Sequence, residues 1–166
     1  MGNVSAAAAL ALVLAACGGP ANAPQEPGAG SETASRLQGE AVETFRAAEY
    51  GLSLIERDGR CYIAHTGHGL DGELETALTP PCRVVMRPNG DEPQQVIYDD
   101  LGATVLILVG TPGEAAGPPL EPPAYCGTAS QGLILTAERV SLSERVGQGR
   151  KCNTGEDEKE FWLFAH

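Results

Sequence analysis

Twenty-one glycines and 12 prolines are spread over 166 residues, and they divide the chain into segments too short for long helices. Proline removes a backbone donor and glycine admits positive φ, so such clusters end regular elements and make turns. Between them the apolar residues alternate. Gly51–Glu56 and Arg60–Thr66 read as two strands around the turn Glu56-Arg57-Asp58-Gly59, with glycine where φ is positive. Leu74, Thr76 and Leu78 alternate as well, up to the break at Pro80-Pro81. Arg83–Arg87 and Gln94–Asp99 are expected to pair across a loop built on Pro88-Asn89-Gly90. Ala103–Val109 is the most apolar stretch after the first 17 residues and reads as a central strand covered on both faces. Gly132–Ala137 and Val140–Ser143 form a further expected pair.

Helices are expected at the two ends of this region. Ser35 and Gln38 stand at capping-box spacing ahead of Leu37, Ala41, Phe45 and Ala48, which share one helical face. Near the C-terminus Thr154 and Asp157 cap a short helix carrying Phe161, Trp162 and Phe164, with His166 at its negative end. Five prolines in Thr111–Ala124 exclude regular structure there. No period of 20 to 50 residues repeats, which argues against solenoids and propellers. The expected class is α+β with β dominant: a mainly antiparallel sheet, sandwich or partly closed barrel, with an N-terminal helix and a short C-terminal helix.

The first residues carry an address. Ala6–Ala16 is apolar and ends in Leu14-Ala15-Ala16-Cys17. The run is about half the ~20 residues a membrane span needs. It resembles the lipobox of bacterial lipoprotein signal peptides, although Met1–Ala16 lacks the basic residues usual at the start of such signals. The resemblance covers residues 1–17 and implies removal of 1–16, then acylation (palmitate among the chains) of Cys17 on sulfur and nitrogen. Gly18, where aspartate would retain a lipoprotein at the inner membrane, implies the outer membrane of the cell envelope, facing the periplasm. Residues 17–35 then form a flexible tether, with Gly18–Ser35 free of Val, Ile, Leu, Met and aromatic residues, and 36–166 a single globular domain.

An exported chain makes sense of the other cysteines. Cys61, Cys82, Cys126 and Cys152 are even in number, and four cysteines allow three connectivities. Local spacing favours Cys61–Cys82 and Cys126–Cys152. No C-x-x-C pair supports a zinc site in their place.

Charge narrows the partners. The formal net charge is −11, spread as −2 over residues 17–35, −6 over 36–110 and −3 over 111–166. Nucleic acid and anionic lipid both require basic patches, so neither is expected to bind. A cationic protein, another envelope component or a glycan fits better.

Few motifs point to chemistry. Gly67–Gly72 matches G-x-G-x-x-G, but no helix follows to receive a pyrophosphate and Pro80-Pro81 cuts the next element short. His65 and His68, with Asp71 and Glu73, form the one candidate metal group, suited to zinc or another transition metal and to a metal-dependent hydrolase. Asp91-Glu92 and Asp99-Asp100 fall in expected loops and read as solvated carboxylates. Ser130 lacks the glycine at 128 that a nucleophile elbow needs, and no S-x-x-K pair occurs. No catalytic residue is nominated. Phe161-Trp162-Leu163-Phe164 reads as a hydrophobic anchor, with Trp162 as a candidate partner contact. The sequence thus describes a lipid-anchored binding or accessory module, with the metal-binding domain as the alternative.

Overall fold

The computed structural model describes residues 40–112 and 124–166. Along them run β1 (Glu40–Ala47), β2 (Tyr50–Arg57), β3 (Arg60–Thr66), β4 (Gly72–Glu75), β5 (Arg83–Val84), β6 (Gln95–Tyr98), β7 (Ala103–Gly110), β8 (Cys126–Leu135), β9 (Val140–Cys152) and α1 (Glu158–Ala165). The strands make two antiparallel sheets. The first has the order β1-β2-β3-β4, and the second β5-β7-β8-β9 with β6 also paired to β7. The fold is β-dominant, the two sheets share a core, and the described strands form no closed barrel.

Alternation along the strands builds that core. Leu52, Leu54 and Ile63 of the first sheet meet Leu106, Leu108, Leu133 and Leu135 of the second. Each leucine is at most 1% exposed, and full burial of such a side chain is worth about 2 kcal/mol. The other face of β7, Val105, Ile107 and Val109, packs under Phe161 and Phe164 of α1. Ala103–Val109 is therefore covered on both faces, as its strongly apolar composition predicts.

The β2–β3 hairpin forms as expected. Arg57 pairs with Arg60, which leaves Asp58 and Gly59 as a two-residue loop with φ of 52° and 73°. At the far end, Asp157 caps α1 by accepting a hydrogen bond from the Lys159 backbone nitrogen at 2.7 Å.

The N-terminal helix is not what the structure contains. Ala41 and Phe45 lie in β1, and Ala48 in the turn that follows; Ser35, Leu37 and Gln38 lie outside the described residues. Two periodicities overlap here. Ala41, Phe45 and Ala48 recur at helical spacing, but Glu43, Phe45 and Ala47 recur at spacing two, and it is the second set that meets the interior. Helix propensity is a weak prior, and pairing with β2 overrides it. The hairpin closes through Ala48 and Glu49, both non-glycine residues at positive φ (46° and 67°), so no turn signal announces it.

Two further expectations change in detail. Arg83–Arg87 and Gln94–Asp99 meet only near their loop, through the Met86–Pro93 bridge, the Arg87–Glu92 backbone bond and a bond from the Gln94 N–H to the Val85 carbonyl oxygen. Beyond it both join β7: Gln95–Tyr98 pair with Leu106–Ala103, and Arg83–Val84 with Val109–Leu108. The edge of an eight-residue strand offers more partners than either short segment offers the other. Likewise β8 and β9 extend well past Gly132 and Ser143, out to Cys126 and Cys152. Those ends are polar and glycine-rich, and their Cys126–Cys152 disulfide joins directly opposed residues. The second disulfide, Cys61–Cys82, links β3 to the residue before β5 and so bridges the two sheets. Of the proline-rich segment Thr111–Ala124, residues 113–123 lie outside the described residues.

Candidate functional site

Carboxylates of the first sheet join it to the β5 edge of the second. Backbone N–H groups alternate in direction along a strand, so those of Cys82 and Val84 point away from β7, whereas Val85 donates to Ile107. Glu43, on the inward face of β1, accepts from the Val84 N–H at 2.7 Å. Glu56, on β2, accepts from the Cys82 N–H at 2.8 Å and from Arg83 Nη1 at 3.3 Å. Burial pushes the Glu43 carboxyl above its ordinary range and the nearby Glu56 charge adds to this; the Val84 N–H and Arg83 act in the opposite direction.

Beside this junction lies an open cleft of about 620 Å³. One wall is Glu43, Thr44, Phe45 and Arg46 in succession; the other includes Val84, Met86, Pro93 and Gln95, with Asp91 and Glu92. The face of a strand shows alternate residues, so four successive ones can border a single space only along the strand's edge. The cleft therefore runs beside the backbone edge of β1. Among the described residues β1 pairs only with β2, which leaves that edge open. A second cleft, of about 770 Å³, separates β9 from the end of α1 and is bordered by Arg139, Glu144 and Arg145.

The residues nominated as metal ligands are not brought together. His65 is buried, with Nδ1 3.3 Å from the Leu70 carbonyl oxygen, and a Cβ on Gly72 would fall 2.9 Å from its Nε2. His68 Nε2 instead lies 3.3 Å from the Ala48 carbonyl oxygen and 3.5 Å from the Glu49 carboxylate. Glu73 is engaged by Arg57 at 2.6 Å, and Asp71 points to solvent. Among the described residues no group of three or more His, Cys, Asp or Glu side chains is placed to hold a metal ion. The reason is topological: Gly67–Asp71 is the loop of the β3–β4 hairpin, which splays these side chains toward different neighbours.

The remaining nominees divide between loop, core and surface. Asp99 and Asp100 occupy the exposed turn into β7. Ser130 is 1% exposed inside β8 and is not presented to any substrate. Phe161 and Phe164 are buried and dock α1, whereas Trp162 is 50% exposed and stacks on His166 with ring centroids 4.6 Å apart. Phe164 fits because Gly132 and Gly147 leave room: a Cβ on Gly132 would come within 2.5 Å of the Phe164 Cβ.

Sequence reasoning assigned no role to Glu43 and Glu56. The spacing of Glu43 with Phe45 and Ala47 marks Glu43 as inward-facing once β1 is known to be a strand. Nothing in the sequence pairs it with Val84, 41 residues away.

No protein-family model matches the chain, and no curated protein or solved structure does either.

Proposed function

We propose that this chain is a lipid-anchored binding or accessory module of the bacterial cell envelope, attached through acylated Cys17 and most at home on the periplasmic side of the outer membrane. The reading is carried by the Leu14-Ala15-Ala16-Cys17 sequence. Both remaining cysteine pairs are disulfides, the state favoured in an oxidising, exported setting. No helix among the described residues is long and apolar enough to cross a membrane. Several acyl chains on one cysteine hold firmly, at about 0.8 kcal/mol per buried CH₂. Residues 18–35, a linker without Val, Ile, Leu, Met or aromatic side chains, join this anchor to the folded domain. The acidic domain it carries suits a cationic protein, another envelope protein or a glycan, with Trp162 as one contact residue.

Expression of the full chain and of Cys17→Ala, followed by membrane fractionation, tests this. Wild type is expected in the membrane fraction as a fatty-acid-labelled band and Cys17→Ala in the soluble fraction without label. Membrane retention of Cys17→Ala defeats the proposal.

A further inference from the structure

We infer that the open edge of β1 is a docking site for an extended, lysine- or arginine-bearing segment of a partner protein, which adds to the first sheet as a fifth strand. The inference rests on reading the chain as a binding module, but not on its lipid anchor.

Three observations carry it. From Glu43 to Ala47, β1 is in unbroken one-to-one register with Leu54 to Tyr50; its single irregularity lies earlier, between Ala41 and Glu43. The exposed edge of such a segment is a row of backbone donors and acceptors at strand spacing. Proteins usually blunt such rows with proline, lysine, bulges or inward-pointing charges. β1 has no proline or lysine, and its bulge and inward Glu43 stand at the start of this stretch, leaving Thr44–Ala47 with Arg46 as its one charge. Second, this edge opens onto a formed cleft, where Phe45, Val84, Met86 and Pro93 supply apolar surface for alternate side chains of an added strand.

Third, charge selects the occupant. Asp91 and Glu92 on the facing wall, with Glu43 on the near wall, outnumber the single lining cation, Arg46, and the whole chain carries −11. Arg87 pairs with Glu92 at 3.1 Å, but both are well exposed, so solvent screens the pair and leaves the wall acidic. A second copy of this chain brings the same carboxylates to the same edge and is repelled. A basic segment with apolar residues at alternate positions satisfies backbone, cleft and charge together.

Fluorescence anisotropy on the purified full chain tests this, with a labelled ten-residue peptide alternating lysine and valine as the probe. The lysine peptide is expected to bind at least tenfold more tightly than its glutamate counterpart. Asp91→Lys with Glu92→Lys, both exposed loop positions, should weaken it at least tenfold without moving the thermal transition. Backbone N-methylation separates strand addition from simple ionic attraction. Only alternate amides of an added strand face its neighbour, so methylating one alternate set should cost tenfold or more and the other set little. Equal binding of the lysine and glutamate peptides, or tolerance of both methylation patterns, overturns the inference. So does a dimer in sedimentation that the lysine peptide fails to dissociate. Membrane fractionation of Cys17→Ala reads the anchor alone, so failure of peptide binding leaves the anchoring proposal standing.

Discussion

Glu43 Oε2 lies 2.7 Å from the backbone nitrogen of Val84, a hydrogen bond that joins the edge strand of one sheet to the edge strand of the other. A carboxylate substitutes for a missing strand partner. The β5 N–H would otherwise be unpaired at the floor of the cleft, and Cys82, two residues earlier, receives the same treatment from Glu56.

The first prediction concerns this junction. Glu43→Ala removes the acceptor and should destabilise by about 1–3 kcal/mol, the cost of leaving a buried donor unsatisfied. Glu43→Gln keeps an acceptor and removes the charge. Because burial raises the folded-state pKa of Glu43, the carboxyl favours folding most when protonated. That contribution is complete below the unfolded pKa and is lost as pH rises through the raised folded value. Wild type should therefore lose stability relative to Glu43→Gln on going from acid to neutral pH. Denaturant melts of both proteins across that range check the sign, and parallel curves would refute it.

The two disulfides should differ in accessibility. Cys61 and Cys82 are 0% exposed in the core, whereas Cys126 and Cys152 are partly exposed at the ends of β8 and β9. Mild reduction of the folded protein followed by alkylation and peptide mapping should label Cys126 and Cys152 first. Replacing Cys61 and Cys82 together by alanine should cost roughly 3 kcal/mol from loop entropy.

The β1–β2 turn is open to improvement. Ala48 and Glu49 both hold positive φ without being glycine. Ala48→Asn with Glu49→Gly supplies the favoured residues of a type I′ turn and should stabilise by about 1 kcal/mol. The exposed Glu49–His68 pair at 3.5 Å is lost, at little cost. Thermal unfolding should show a rise of about 2–6 °C. A fall would mean that the Glu49 contacts outweigh the turn geometry.

Around α1, glycine should matter more than tryptophan. Gly132→Ala drives a methyl group into Phe164 and should destabilise by about 1–3 kcal/mol. Trp162→Ala removes a larger but half-exposed side chain and should cost less than Phe161→Ala, for which about 3–5 kcal/mol is typical. Thermal melts of the three variants give the ranking. A Trp162→Ala loss equal to that of Phe161→Ala would place Trp162 in the anchor and not on the surface.

Local chemistry explains which elements the sequence could determine by itself. Asp58-Gly59 between two alternating runs specifies the β2–β3 hairpin, because few residues accept positive φ in that turn. Ala103–Val109 announces burial on both faces, Asp157 announces a helix start, and short spacing favoured the two disulfides that the structure contains. Each of these depends on residues close in sequence or on one strong compositional signal. Tertiary structure alone decided the rest. β1 carried helical and strand periodicities together, and pairing with β2 selected the strand. The histidine loop held suitable ligand types, but a hairpin aimed them apart. The cleft joins residues 43–46 to residues 84–95, and the Phe164 notch joins Gly132, Gly147 and α1. The contacts between these elements are set by how two sheets stack, and stacking follows from the burial of alternating side chains across the whole chain and not from any local motif.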